Sequence, residues 1–228
     1  MKMNEKYLYT ETYMFIKGYA TALKLGNTLK ALPMCVIIHD GQYRKGKMEF
    51  ENEQYQIPYV VHCLKVCSTL IALDLPLERH DLDILLAAAL LHDTLEDQPQ
   101  KFPHGGEEFM TQYGLDPEVL HLVKMVTKRT GASQEELRTY FNVISGNPLA
   151  TLLKLSDRSH NSESMYEMTP EKIRKYIKES REGIYPMASY GKNHYPEFSN
   201  GITILKSKIE SLVNTTEALL EMFGNKEA

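Results

Sequence analysis

Eight consecutive apolar residues, Ile84 to Leu91, run without a break into His92-Asp93 and then Thr94, Leu95, Glu96 and Asp97. An apolar helix has no use for an adjacent imidazole and carboxylate at its end, with two more carboxylates one turn later, unless something polar binds there. Burying a neutral polar group unpaired costs about 2–7 kcal/mol, and a charge costs far more. A metal ion would offset that cost.

The chain has 228 residues, which suits one well-buried domain. With 43% hydrophobic and 25% charged residues and a net charge of -4, it has the make-up of an ordinary globular protein, and the negative balance argues against nucleic acid as a partner. Ile84 to Leu91 is its longest apolar run, well short of the roughly 20 residues of a membrane span. The start, Met-Lys-Met-Asn-Glu-Lys-Tyr, lacks the apolar core of a signal peptide. The expectation is a cytoplasmic protein with no membrane partner. Cys35, Cys63 and Cys67 lack a second matched pair for a zinc site and read as small buried thiols.

Between clusters of proline and glycine, apolar residues recur at spacings of three and four, so the fold class expected is all-α, a single-domain bundle of about eight to ten helices. A first helix is predicted over Glu11–Leu32, ended by Pro33, with a short one over Met34–His39. The polar stretch Gln42–Ile57 reads as a long surface loop. Pro58 suits the first turn of the next helix, and another spans about His80–Leu95. Further helices are expected over Glu107–Tyr113, Pro117–Thr127 and Gln134–Ser145, and from Pro148 through Asp157. A long one runs from Thr169-Pro170 to about Tyr190, and a last one covers Ile202–Phe223.

His62, His92, Asp93 and Asp157 stand at buried-helix positions where a structural role is awkward. Two imidazoles with two carboxylates suit a borderline or hard divalent ion; manganese is most apt for a phosphate substrate, with iron or zinc as alternatives. Glu96 and Asp97 follow His92 and Asp93 by four residues, so both pairs share neighbouring faces over one turn, with room for a metal-bound water between them. Asp157 and Asn161 share the same spacing, setting a metal ligand and a substrate-facing amide on one face. Singly, each residue has a blander reading, such as a satisfied core histidine or an acidic helix end. Their joint occurrence beside apolar helices is what points to a site.

These elements resemble the HD-domain metal-dependent phosphohydrolases and, more narrowly, the alarmone hydrolase domain of the RelA/SpoT group. The matching stretches are His39-Asp40-Gly41-Gln42-Tyr43-Arg44-Lys45-Gly46, Pro58-Tyr59-Val60-Val61-His62 and Leu90-Leu91-His92-Asp93-Thr94-Leu95-Glu96-Asp97. Val126-Thr127-Lys128 and Lys154-Leu155-Ser156-Asp157-Arg158-Ser159-His160-Asn161 continue the match, which covers about Met34 to Ala188. The resemblance implies a manganese ion held by His62, His92, Asp93 and Asp157, and an acidic pair, Glu96 and Asp97, that positions and activates water. It also implies a nucleotide pocket lined by Arg44 and Lys45 and touched by Asn161. The implied reaction removes the 3′-pyrophosphate of ppGpp, giving GDP and pyrophosphate. Too few residues remain for a synthetase domain, so the chain is similar to the small single-domain alarmone hydrolases.

Several positions depart from that pattern. About eight residues, Lys47 to Gln54, are inserted after the Arg-Lys element and bring in extra carboxylates. Cys63 replaces a usual proline, Gln98 a usual threonine, and Glu163 stands where arginine is common. The inserted acids and Glu163 favour an alternative: an HD phosphohydrolase acting on an adenosine polyphosphate, a nucleoside monophosphate or NADPH. A non-catalytic alarmone-binding module is a third reading, disfavoured because all six ligand and acidic positions are filled. The first and last helices lie outside the clear match and are expected to pack on the core or to form a homodimer.

Overall fold

The computed structural model describes residues 7–50 and 53–224, with the side chains of 45–50, 53, 54, 108–110, 223 and 224 outside the description. The chain divides between Gly131 and Ala132 into two compact units. Both are helical, as the apolar spacing predicts. Among the described residues no helix is long and apolar enough to cross a membrane.

The first unit contains α1 (Tyr7–Leu23), α2 (Gly26–Ile38), strands β1 (Tyr43–Phe50) and β2 (Glu53–Pro58), α3 (Val60–Ala72), α4 (Arg79–Leu91), the single turn α5 (Thr94–Asp97), α6 (Glu107–Gln112) and α7 (Pro117–Val126). Every residue of α4 from Ile84 to Leu91 is buried, and α2, α3 and α7 pack around it. Its five large side chains, Ile84, Leu85, Leu86, Leu90 and Leu91, are at most 2% exposed. At about 1.5–3 kcal/mol each, they contribute roughly 10 kcal/mol and hold the polar end of the helix where it lies.

The predicted first helix is two helices. Lys24 takes a positive φ of 57° and Leu25 is extended, so the chain turns and α2 restarts at Gly26. Pro33 lies inside α2 rather than ending it. It forfeits one backbone hydrogen bond, but α2 is anchored elsewhere, because Asp83 of α4 caps its N-terminus. The Asp83 carboxylate accepts from the backbone N–H of Asn27 (2.9 Å) and Thr28 (2.8 Å), from Thr28 Oγ1 (2.8 Å) and from Asn27 Nδ2 (3.1 Å). These satisfy N–H groups that have no partner within the helix.

The predicted loop Gln42–Ile57 is largely an antiparallel hairpin. Met48 pairs with Tyr55 and Phe50 with Glu53, and an irregularity falls between Tyr43 and Lys47. Met48 and Phe50, like Tyr55 and Ile57, recur every second residue, a strand period that the surrounding charge hides. Residues 51 and 52 of the insertion lie outside the described residues, as do the side chains of Glu49 and Glu53. Pro58 closes β2 instead of opening a helix, and α3 starts at Val60.

The second unit contains α8 (Gln134–Ser145), α9 (Pro148–Glu163), α10 (Pro170–Glu179), α11 (Tyr185–His194) and α12 (Ser199–Gly224). Here α12 packs on α9, α10 and α11. The predicted long helix from Pro170 is interrupted by a π-turn over Ser180–Ile184, in which the Tyr185 N–H bonds to the Ser180 carbonyl. Pro186 follows at the start of α11 with no N–H of its own, and the wider turn absorbs the mismatch while the axis continues. Arg158 of α9 is buried in an ion pair with Glu179 of α10, its guanidinium 4.0 Å from the centroid of the Tyr176 ring.

Two substitutions test these packing arguments. Asp83→Ala leaves several N–H and O–H groups at the α2 terminus without their acceptor. It is expected to destabilise the first unit by about 2–4 kcal/mol, read as a lower urea midpoint. In the π-turn, a Cβ added at Gly183 would sit 2.2 Å from Cε2 of the buried Phe141 ring. Gly183→Ala should therefore lower stability by about 1–3 kcal/mol through overpacking, and truncating Phe141 to Leu in the same chain should recover part of that loss.

Candidate active site

The apolar helix α4 ends at Leu91, and His92 and Asp93 form the bend that leads into α5. Asp93 has φ -90° and ψ -2°, the sparsely populated bridge conformation, so the predicted continuous helix through Leu95 is broken here. The Asp97 N–H still bonds to the Asp93 carbonyl at 2.8 Å, keeping the acidic pair one turn beyond the bend.

That bend brings His92 and Asp93 against His62 of α3. His62 Nε2 lies 3.2 Å from His92 Nε2 and 3.2 Å from Asp93 Oδ2, and His92 Nε2 lies 3.1 Å from Asp93 Oδ2. Both imidazoles are buried. The Ala89 carbonyl stands 2.8 Å from His92 Nδ1, and since a carbonyl can only accept, Nδ1 carries the proton and Nε2 presents a lone pair. Two imidazole nitrogens and a carboxylate oxygen therefore converge at hydrogen-bond distance, with too few protons to go round if both rings are neutral. This donor set, with one ring held by a backbone carbonyl on its far nitrogen, fits a divalent metal ion. Burial alone would push the Asp93 carboxyl up; when the rings are protonated, His92 and His62 outweigh it and hold the group well below the usual carboxylate range.

Tyr59, one residue before α3, donates its hydroxyl to Asp93 Oδ2 at 2.6 Å. Burial, and then the Asp93 and Asp97 carboxylates, push its pKa up, so the hydroxyl stays protonated and remains a donor. The Arg44 guanidinium carbon lies 5.8 Å from the centroid of the Tyr59 ring, so Arg44 neighbours the residue that bonds to Asp93. The side chain of Lys45 lies outside the described residues.

The acidic pair is divided between two partners. Asp97 Oδ2 accepts from Gln42 Nε2 at 2.8 Å, whereas Glu96 Oε2 accepts from the backbone N–H of Lys128, just beyond α7, at 3.0 Å. Gln42 in turn accepts from Gln98 Nε2 at 2.9 Å and meets His39 Nδ1 at 2.7 Å. Gln42 and Tyr59 lie within stretches that carry the family resemblance, yet the sequence reading gives them no role. What brings them together is the base of the hairpin, where the Tyr59 N–H bonds to the Gln42 carbonyl at 2.8 Å, and no linear spacing shows that.

Asp157 and Asn161 belong to α9 of the second unit. They meet on one face of that helix, the Asn161 amide donating to Asp157 Oδ1 at 2.6 Å. Asp157 Oδ2 takes a hydrogen bond from Lys154 Nζ at 2.8 Å, and both side chains are largely buried. Burial alone would lower the Lys154 pKa; the Asp157 carboxylate outweighs it and keeps the amine charged. Glu163, at the end of the same helix, is paired with Lys208 of α12 at 2.5 Å.

A protein-family model described as HD domain matches residues 59–162. The chain is 33% identical over 173 residues to a probable GTP pyrophosphokinase of Mycobacterium leprae, covering 67% of this chain and 20% of that protein. A guanosine-3′,5′-bis(diphosphate) 3′-pyrophosphohydrolase of Aquifex aeolicus is 32% identical over 152 residues, 64% of this chain and 20% of that one. The bifunctional (p)ppGpp synthase/hydrolase SpoT of Escherichia coli is 26% identical over 190 residues, 80% of this chain and 24% of that one. The chain thus spans about a fifth to a quarter of the length of these curated relatives. Residues 59–162, which contain the His62, His92 and Asp93 cluster, match the HD domain, and over most of its length the chain is similar to RelA/SpoT-type proteins.

Proposed function

We propose that this chain is a metal-dependent pyrophosphohydrolase that removes the 3′-pyrophosphate of guanosine 3′,5′-bis(diphosphate), giving GDP and pyrophosphate. The observation that carries the reading is the convergence of His62 Nε2, His92 Nε2 and Asp93 Oδ2, each pair 3.1–3.2 Å apart. The names of the relatives supply the substrate class. Among them a hydrolase is favoured over a pyrophosphokinase because the matched portion is the HD domain with its histidine-aspartate cluster.

In this reading Asp157 is the fourth ligand, and the single hydrolase domain expected from the sequence takes in both compact units. Manganese is our choice within the divalent class, since mixed nitrogen and oxygen donors must share the ion with phosphate oxygens. A divalent ion supplies a Lewis acid for a phosphoryl oxygen and makes water more acidic. The chain's own residues do the rest. Asp97, oriented by Gln42, or Glu96, oriented by the Lys128 N–H, takes the proton from the attacking water. The water oxygen bonds to phosphorus, the bond from phosphorus to the 3′ oxygen breaks, and that oxygen leaves as the ribose hydroxyl of GDP with the proton the carboxylate took from the water and gives up again. Arg44 and Lys45 bring positive charge to a highly anionic substrate on a chain of net charge -4. Asn161, bonded to Asp157, is assigned to the nucleotide side of the site.

A second reading, an HD phosphohydrolase for another nucleotide, draws on the inserted hairpin. That hairpin starts beside Arg44 and returns one residue before Tyr59, and its sequence carries the extra carboxylates Glu49, Glu51 and Glu53. Glu163 adds little to this reading, because Lys208 already neutralises it.

The decisive assay supplies purified chain with manganese and ppGpp and measures products. Equimolar GDP and pyrophosphate are expected, and none from Asp93→Ala. Asp97→Asn should slow turnover by about 10²–10⁴-fold, the range for loss of a general base. Wild-type chain with full metal occupancy that leaves ppGpp intact, yet cleaves the adenosine analogue, a nucleoside monophosphate or NADPH, would establish the second reading. Tyr59→Phe removes the hydrogen bond to Asp93 and should weaken manganese binding about 10–100-fold, as loss of a ligand's supporting partner commonly does. Calorimetric titration of manganese into the stripped protein checks this.

A further inference from the structure

A second group of ligand atoms lies behind the first and has no part in the proposed reaction. Cys35 and His39 are four residues apart, Cys35 on α2 and His39 at its C-terminal cap, and Cys63 follows His62 on α3. One donor atom from each lies within 4.8 Å of the others. The two thiols are 0% exposed and His39 is 2% exposed.

The protonation of His39 is set by a chain of hydrogen bonds leading from the acidic pair. The Asp97 carboxylate can only accept, so the Gln42 amide must turn its NH₂ group toward it. That leaves Gln42 Oε1 facing His39 Nδ1, and an amide oxygen can only accept, so Nδ1 carries the ring proton. A neutral ring then presents a lone pair at Nε2, a buried nitrogen that faces the Cys63 thiol, which in turn meets Cys35. With Nδ1 committed to Gln42, Nε2 is the nitrogen left for the sulfurs. Beside two buried thiols, that lone pair completes a set of three soft and borderline donors with no exposed atom among them.

We propose that Cys35, His39 and Cys63 form a second metal site that takes a soft divalent cation, with zinc as the best fit. Two thiolates and an imidazole are the donors such an ion prefers, at about 2.3 Å for sulfur and 2.0–2.1 Å for nitrogen. Donors at those lengths lie roughly 3.5–4 Å from one another around a tetrahedral ion, within reach of small rotamer adjustments here. Charge decides between soft ions. A divalent ion with two thiolates and a neutral imidazole has no net charge, whereas a monovalent ion would leave a buried negative charge. Binding releases two thiol protons to solvent, and the fourth position falls to a water.

Cys67, four residues after Cys63 on α3, stands outside the cluster. The site borders the first one, since the His39 ring stacks on Tyr59 with centroids 5.0 Å apart and Tyr59 bonds to Asp93. An ion on Nε2 would lock the His39 tautomer that orients Gln42 onto Asp97. The second ion is therefore a support for the acidic pair, with no part in the chemistry itself.

The test uses the full chain, reduced, stripped of metal and then given manganese to fill the first site, with cobalt(II) as the probe. No residue of the first site is a cysteine, so a thiolate-to-cobalt charge-transfer band in the near ultraviolet reports the second site alone, whatever the activity of the protein. The band should saturate at one equivalent, persist in Cys67→Ala, and vanish in Cys35→Ala while the helical circular dichroism is kept. Zinc added afterwards should abolish the band by displacing cobalt. Absence of the band in the reduced wild-type chain overturns the proposal, as does a band that survives Cys35→Ala but is lost in Cys67→Ala.

Discussion

The first unit depends on one constraint: α4 has no polar face. Ile84 to Leu91 must be covered on every side, and α2, α3 and α7 provide that cover. Hydrophobic burial is non-directional, so by itself it would allow α4 to slide or rotate. The position along the axis is fixed by the polar groups at its two ends. Near the N-terminus Asp83 reaches out to cap α2, and at the C-terminus His92 and Asp93 meet His62 on α3. The apolar middle provides the stability, while the polar ends set the register with neighbouring helices.

The same arrangement settles the state of the donors. His92 is not merely placed at the end of α4; its Nδ1 is held by the Ala89 carbonyl one turn back. In a helix the carbonyls of the last turn have no internal partner, so a histidine just past the end meets one at little cost. A helix ending in His-Asp thus delivers a ring whose protonated nitrogen faces its own backbone and whose lone pair faces outward. Tyr59 does the corresponding work for Asp93, donating to Oδ2 from the start of α3. The order of the donor set comes from ordinary backbone features, and no strained arrangement is needed beyond the bend at Asp93.

Much of this is legible in the sequence, and the parts that are not have physical reasons. Helices with capping signals are read closely: Gln134–Ser145 matches α8, where Ser133 and Glu136 make a capping box, and Pro148 begins α9 behind Asn147. His62, His92 and Asp93 stand out because imidazoles and carboxylates in apolar helices demand partners. The break at Lys24 is not legible, since it depends on a positive φ at an ordinary lysine, and neither is the survival of α2 through Pro33, which depends on a cap sent from α4. The hairpin is hidden because charged residues blur its strand period. Gln42 and Tyr59 gain their roles only when that hairpin closes. The cysteines are buried thiols, as the sequence suggests, but the closeness of Cys63 to Cys35 and His39 joins two helices, and no linear spacing shows it.

The division between helices and hairpin bears on how such a site can change its substrate. The donor atoms of the first unit sit at helix positions whose backbone is locked by burial, so substitutions there carry the cost of an unpaired buried group. Arg44 and Lys45 instead lie on β1, a strand of a two-stranded sheet joined to the site at its base by Gln42 and Tyr59. Residues added to the hairpin beyond Lys45 leave the bond from Gln42 to Asp97 and the bond from Tyr59 to Asp93 intact, since both are made at its base. The bonds that tie the hairpin to Asp93 and Asp97 therefore involve its base, at Gln42 and Tyr59. Under the proposed function, an insertion after Lys45, such as the resemblance implies for Lys47 to Gln54, is a change that would redirect specificity without disturbing the donor set.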